Sequence, residues 1–336
     1  MKIHILYNFQ NQPWGGGNQF LKALKKEFEG RGIYEDKPEK ADVILFNSHH
    51  NFKEVFKIKQ KFPKKVFIHR IDGPLYLTRG KNKDLDEIIY KFSELTADGI
   101  IFQSNWCREQ NKKLFKISAK YITVIHNAPD GEIFKKQKKS FNQNKIKLIA
   151  VSWSSNWRKG FDIYKYLDDN LDYSKYDLTF VGNSPIEFNN IKCIKPVHSN
   201  ELAKILNQHD IYITASQNDP CSNSLIEALS CGLPAVALND GGHPELIQEG
   251  GELFTAKQDI IEKIEKVVKN YYYYQSKIPE FSAQKIAQNY YEFALIIYQN
   301  VSAKLYNPKK ITLLTKFHFA KIKIMILKAV LKEKLC

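Results

Sequence analysis

Nowhere in these 336 residues do 18 apolar positions run uninterrupted, so no segment reads as a helix that spans a bilayer. Cysteine is scarce: Cys107, Cys193, Cys221, Cys231 and Cys336 are odd in number, scattered, and without a C-x-x-C pair. That argues against a disulfide framework or a zinc site and fits the reduced thiols of a cytosolic protein. The opening Met1-Lys2-Ile3-His4-Ile5-Leu6-Tyr7 turns polar too quickly for a secretory signal. Neither a Walker-type phosphate loop nor a G-x-G-x-x-G fingerprint is present. No Asp-x-Asp cation motif stands in a fitting place, and no carboxylate pair is set by spacing for glycoside hydrolysis. Acidic residues fail most conspicuously at the end, where 301–336 hold nine lysines and one glutamate. More than half of the net charge of +15 therefore sits in the last tenth of the chain. So placed, it speaks against a basic nucleic-acid groove in the body, and no aromatic–basic motif supports one.

What is present is core material: 43% hydrophobic residues, with 21 Phe and 18 Tyr. The length exceeds one comfortable core, so two domains of about 140–190 residues are expected. Short apolar runs at 2–7, 42–47, 65–70, 98–103 and 121–125 alternate with helical patterns at 18–29, 52–62, 83–95 and 104–116. After a polar stretch at 135–147 the rhythm restarts. Strands are predicted at 146–152, 177–182, 191–195, 210–214 and 234–238, with helices at 160–169, 199–207 and 222–231. Long helices are predicted at 257–276, 280–304 and 309–334. Such alternation makes βαβ units and parallel sheets, whose ligands bind beyond the carboxyl ends of the strands.

The strand ends carry the informative residues. Between Ser216 and Pro234 a strand ends, a polar turn follows and a helix opens near Ser222, whose free amides and dipole favour an anion. Asp219 and Glu227 bracket that turn eight positions apart, one in the turn and one in the helix, both suited to a hydroxyl-bearing ligand. The competing reading is a capped helix with a solvated glutamate. Arg158-Lys159 precedes Gly160 after the first strand of the second half, and both cations suit phosphate oxygens. A solvated pair in a turn is the alternative. Gly15-Gly16-Gly17 after the first strand allows close backbone approach to phosphate or sugar. Ile68-His69-Arg70-Ile71-Asp72 ends a strand before a Gly73-Pro74 turn, with His69 readable either as a site residue or as a buried structural histidine.

In order and spacing these segments resemble glycosyltransferase family 4, over roughly residues 1–300 and most strongly over 146–248. Asp219 through Glu227-Ala228-Leu229-Ser230-Cys231-Gly232-Leu233-Pro234 is similar to the family's donor motif of two glutamates eight apart. The resemblance implies that Glu227 binds the ribose hydroxyls of a donor nucleotide and that Asp219 stands where the first glutamate meets the transferred sugar. Asp for Glu is a departure, one methylene shorter. Ser222, Asn223 and Ser224 would meet diphosphate or sugar. Lys159 before Gly160 would neutralise the diphosphate; Ser154 stands where relatives carry an arginine, leaving Arg158 as its substitute. Gly241-Gly242-His243-Pro244-Glu245 is similar to the family's G-G-x-P-E segment and adds Glu245, which reads equally as an ordinary helix-start glutamate. Gly182 resembles a strand-end glycine, and Val197, in Pro196-Val197-His198, the segment meeting the nucleobase. Gly16 and Gly17 match the Gly-Gly loop lining the reaction centre. Either Asp72 or His69 would orient the transferred sugar. Asn127 and Asp130, in a segment that closes the first domain, are read as fixing a turn.

The resemblance implies an α/β chain of GT-B fold, with two Rossmann-like domains facing a central cleft and C-terminal helices. The expected domains are 1–140 on the acceptor side and 141–280 on the nucleotide-sugar side. Helices over 281–336 follow, the first crossing back to the N-terminal domain. The implied activity moves a sugar from a nucleotide diphosphate-sugar to a glycan or lipid-linked acceptor. It would retain configuration, use no metal and no cofactor beyond that co-substrate, and serve cell-surface polysaccharide or glycoconjugate synthesis. A GT-B epimerase or phosphorylase, and a non-catalytic nucleotide-sugar-binding protein, are the alternatives. The expected location is the cytoplasm. In the last helix, Lys316, Lys321, Lys323 and Lys328 leave a lysine-free arc holding Ile322, Ile326 and Ala329. That arc would either rest on the anionic inner face of a membrane or dock on the protein with its lysines in water.

Overall fold

The computed structural model describes residues 1–12, 15–80, 83–138 and 140–335, except for the side chains of Lys323 and of 326–335. Pro13, Trp14 and Cys336, and the side chains of Lys323, Ile326, Lys328 and Ala329, thus lie outside the described residues. The chain divides into two compact units. Met1–Phe9, Leu24–His126 and the chain from Gln284 onward make the first; Gln10–Ala23 and Asn127–Ala283 make the second.

The first unit begins with β1 (Ile3–Leu6), α1 (Gly16–Gly30, whose first turns count with the second unit), β2 (Val43–Asn47) and α2 (Phe52–Lys61). It continues with β3 (Val66–Ile71), α3 (Leu75–Arg79), α4 (Lys83–Thr96), β4 (Gly99–Phe102), α5 (Asn105–Leu114) and β5 (Tyr121–Val124). The five strands are parallel in the order β1-β2-β3-β4-β5. Every residue of β2, β3 and β4 is buried, as a sheet covered on both faces requires.

In the second unit the elements are β6 (Ile146–Ser152), a 3-10 turn at Trp157–Lys159, α6 (Phe161–Asn170), β7 (Tyr176–Gly182), β8 (Lys192–Ile194) and α7 (Ser199–Asn207). Then come β9 (Ile211–Thr214), α8 (Asn223–Ser230), β10 (Ala235–Leu238), α9 (His243–Ile247) and β11 (Gly251–Phe254). The predicted helix over 257–276 divides into a 3-10 turn at Lys257–Asp259, α10 (Ile260–Lys269) and α11 (Tyr271–Ser276). The break at Asn270 lets Tyr271 stack on Phe141 at 3.9 Å. All six strands run parallel in the order β11-β10-β9-β6-β7-β8. Alternation sorts the core to two faces: Ile146, Leu148, Ala150, Ile211 and Ile213 pack on one, Ile149 and Tyr212 on the other. Residues 127–140 belong to this unit, and Phe134 is buried in its core.

Two further helices, α12 (Ala283–Ser302) and α13 (Leu313–Leu335), follow, and the chain from Gln284 packs with the first unit. In α12, Ala287, Tyr290, Ala294 and Ile297 are buried at helical spacing. Among the described residues, no helix is long and apolar enough to cross a membrane. The junction between α12 and α13 is clasped by Asp98, which sits just before β4. Its carboxylate accepts Lys59 Nζ at 2.7 Å, Phe67 N–H at 2.8 Å, Lys309 N–H at 2.7 Å and the Tyr306 hydroxyl at 3.2 Å. Lys59 and Asp98 are fully enclosed. Burial pulls the Lys59 ammonium below its ordinary pKa, against the pull of Asp98. Removing one member of such a pair leaves a buried charge unpaired. Asp98→Ala should therefore cost about 3–5 kcal/mol of first-unit stability, read as an earlier unfolding midpoint in denaturant.

Candidate functional site

In the second sheet the chain steps outward from β6 to β7 and β8 on one side, then returns to β9 on the other. The crevice at that reversal is where the strand-end loops diverge and leave space. A cavity of about 260 Å³ opens there. The end of β6 supplies Ser152, Trp153 and Ser154, and the following turn supplies Lys159. Beside it, β7 ends on Gly182 at a φ of +137°, where a Cβ would stand 1.8 Å from the Ser152 carbonyl oxygen. Only glycine lets the two strand ends run that close.

The far wall comes from the turn after β9 and the start of α8. Asp219 lies in the turn, held by its own backbone: its carbonyl accepts Gly242 N–H at 2.8 Å. Its carboxylate receives Lys159 Nζ at 3.0 Å and Cys221 N–H at 3.3 Å. Ser222 stands at the N-cap of α8 with no side-chain cap bond, so the first-turn amides keep no partner from that hydroxyl. Ser224 Oγ accepts the Tyr212 hydroxyl at 2.8 Å, and Asn223 Oδ1 accepts Asn127 Nδ2 at 3.1 Å. Gly16 abuts Asn223 so closely that an added Cβ would sit 2.5 Å from its Cβ. One turn into α8, Glu227 also lines the cavity. Among the described residues, no hydrogen bond or ion pair reaches its carboxylate.

Residues 133–285 match the family model described as glycosyl transferases group 1. That stretch is therefore similar to the glycosyl transferases group 1 family. Over 220 residues it is 25% identical to the phosphatidylinositol N-acetylglucosaminyltransferase GPI3 subunit of Saccharomyces cerevisiae, covering 54% of this chain and 48% of that protein. The chain thus spans about half the length of that curated relative. Among solved structures it is similar to sucrose-phosphate synthase from Thermosynechococcus elongatus. The TM-score is 0.66 at 13% identity, over 91% of this chain and 97% of that one. It is also similar to Anabaena HepE solved with UDP-glucose, with a TM-score of 0.62 at 16% identity, over 91% and 99% of the two chains. The fold is that of GT-B glycosyltransferases: mixed α/β with two parallel sheets.

Within the matched stretch the cavity gathers Lys159, Gly182, Val197, Asp219, Ser222, Asn223, Ser224 and Glu227, with Gly16 from the segment before it. Arg158, Gly17 and Glu245 are not among its lining residues. Arg158 instead gives its carbonyl to Gln217 N–H at 2.7 Å, tying the two loops together. Glu245 sits in the first turn of α9. In the first unit, His69 is wholly buried in β3. Its ring stacks on Phe46 at 4.2 Å and its Nε2 contacts the Ser48 carbonyl at 2.8 Å, while burial drives its pKa down to about 4. Asp72 reaches the surface of that unit. Its carboxylate is set by the buried Arg70 at 2.7 Å, by Asn47 at 3.2 Å and by Gln103. Of the two registers weighed for this segment, the one that presents a side chain to solvent is Asp72. Trp153, Gln19, Ser199 and Leu202 also line the cavity without having been singled out in the sequence, and Pro196 does so beside Val197. Trp153 is 41% exposed at a strand end, and its size beside a phosphate-suited turn was the available signal.

The cavity sets its two acids apart. Burial pushes Asp219 up, but the Lys159 ammonium and His243 outweigh it and hold the carboxyl below its ordinary pKa. Glu227 has only burial acting on it and rises from 4.5 to about 8. The folded state thus keeps a proton on Glu227 that the unfolded chain has lost above pH 4.5. Its stabilising effect is full below that pH and falls away as pH rises towards 8. Glu227→Gln, which cannot ionise, should melt higher than the wild type above pH 7, with the gap closing towards pH 5 and amounting to a few kcal/mol at most. Parallel melting profiles across pH 5–8.5 would mean that Glu227 ionises normally.

Proposed function

We propose that this protein transfers a sugar from a nucleotide diphosphate-sugar to a glycan or lipid-linked acceptor. The supporting observation is one cavity that holds a cation, a helix N-terminus and a buried carboxylate without a partner, in a stretch similar to the glycosyl transferases group 1 family. Each part suits one portion of such a donor. Lys159 and the opening of α8 suit the diphosphate, because both offer positive charge without a metal. Glu227, whose carboxyl burial pushes up to about 8, suits ribose hydroxyls with which a protonated carboxyl can both donate and accept. Asp219 is an ionised acceptor near the transferred sugar once a diphosphate draws Lys159 away from it. Val197 borders the space for the base.

In this reading the leaving diphosphate is stabilised electrostatically by Lys159 and α8, and the reaction is metal-independent and retains configuration. Arg158 adds long-range positive charge rather than a wall of the cavity. Asp72, held by Arg70, is the acceptor-side carboxylate of the first unit. The biological role that follows is cell-surface polysaccharide or glycoconjugate synthesis, on the cytoplasmic side.

A thermal-shift panel of UDP-, GDP- and ADP-sugars, with UDP-glucose first, identifies the donor, because a bound ligand raises the melting temperature by mass action. With that donor, Lys159→Ala should lower kcat/KM for nucleoside diphosphate release by about 10²–10³-fold, the scale of one lost oxyanion-type donor. Glu227→Ala should abolish the thermal shift while the protein stays folded. Unchanged turnover in both variants would refute the assignment. A shift without any turnover would leave a binding protein.

A further inference from the structure

Over its described residues the last helix carries two apolar faces, of which one packs on the first unit. Thr315, Phe319 and Ile322 turn inward: Phe319 stacks on Phe56 at 3.8 Å and lies against Phe92, joining the core of the first unit. Of the two readings of the lysine-free arc, Ile322 thus follows the one in which the helix docks on the protein. At about 100° per residue, Leu313, Phe317, Ala320 and Ile324 fall within about 60° of one another on the opposite side. Leu313 is 84% exposed, Phe317 58% and Ile324 54%. Lys316 flanks this outward stripe on one side and Lys321 on the other, with Lys321 Nζ 4.5 Å over the Phe317 ring. The helix is not free to roll the stripe inward, because the Asp98 clasp holds Tyr306 and Lys309 just ahead of it.

We infer that the outward face of α13 rests on a lipid bilayer bearing anionic headgroups. A row of large exposed apolar side chains is not neutral surface, and it asks for a cover. Flanking lysines fix the kind of cover. Their stems can lie along the acyl boundary while their ammonium groups meet negative headgroups, and the exposed Lys304 and Lys310 add charge just ahead of the helix. A second copy of the chain fits worse, since a two-fold contact would bring the same lysine-edged stripe against itself. This inference stands apart from the donor assignment and is read by a different measurement.

The test is co-sedimentation of the full-length chain with vesicles of phosphatidylcholine alone and of phosphatidylcholine with 30–40% phosphatidylglycerol, roughly the charge of an anionic leaflet. The wild type should pellet with the anionic vesicles, much less with the neutral ones, and be released by about 0.5 M salt as the charges are screened. Lys316→Glu with Lys321→Glu should weaken partitioning by roughly 20-fold or more, at about fivefold for each lysine removed. Leu313→Ser with Phe317→Ser and Ile324→Ser should leave the protein in the supernatant. All five positions are exposed, so the melting temperature and any nucleotide-sugar shift should match the wild type in both variants. A wild type that ignores anionic vesicles overturns the inference, as does a serine variant that pellets normally. So does a dimer in light scattering that the serine variant abolishes without any vesicle binding.

Discussion

The contact between Lys159 Nζ and Asp219 at 3.0 Å joins the two loops that frame the cavity, one leaving β6 and the other leaving β9. These strands are neighbours at the place where the chain order reverses, so their loops leave in different directions and need a tie. The Arg158 carbonyl and Gln217 amide supply a second tie at 2.7 Å. An ion pair this far out of water gains little net stability, because desolvation offsets attraction. Its consequence is positional. It holds an ammonium group at the mouth of α8, where a helix dipole already favours an anion, and it does so with a carboxylate that an incoming anion can replace.

That pair also explains why two acids eight residues apart behave oppositely. Asp219 has a cation and stays ionised; Glu227 has none and keeps its proton. Environments that separate two similar groups commonly mark two roles. Here the division matches a ligand with two kinds of polar surface, a charged diphosphate and neutral hydroxyls. A structural explanation of Glu227 would need a partner for its carboxylate, and the described residues offer none.

Much of this was legible in the sequence. The strand and helix rhythm of both halves was, because parallel strands buried on both faces are continuous apolar runs, and 146–152, 177–182 and 210–214 stand nearly where β6, β7 and β9 run. The turn after β9 was legible because Asp219, the Ser222 cap and Gly232 are spaced as a turn and helix demand. Less legible was which polar residue faces in. His69 and Asp72 lie three apart in one segment, and only the packing of Phe46 on the imidazole shows that the histidine belongs to the core. Trp153 escaped notice because an aromatic residue at a strand end is ordinarily core, and its exposure depends on where Gly182 lets β7 end. The Asp98 clasp was invisible, since its partners are up to 211 positions apart and share no motif.

The last helix shows what lysine positions alone leave undecided. Lysine positions define where a helix is wet, and an apolar arc is then read as the remainder. That procedure assumes a single apolar side. In α13 two apolar stripes lie back to back, so residues at similar spacing along the chain meet opposite surroundings. What separates Phe317 from Phe319 is not their own chemistry but the rings of Phe56 and Phe92, contributed by α2 and α4 more than 220 residues earlier. Once those rings claim Phe319 and Ile322, helix geometry alone turns Leu313, Phe317 and Ile324 outward.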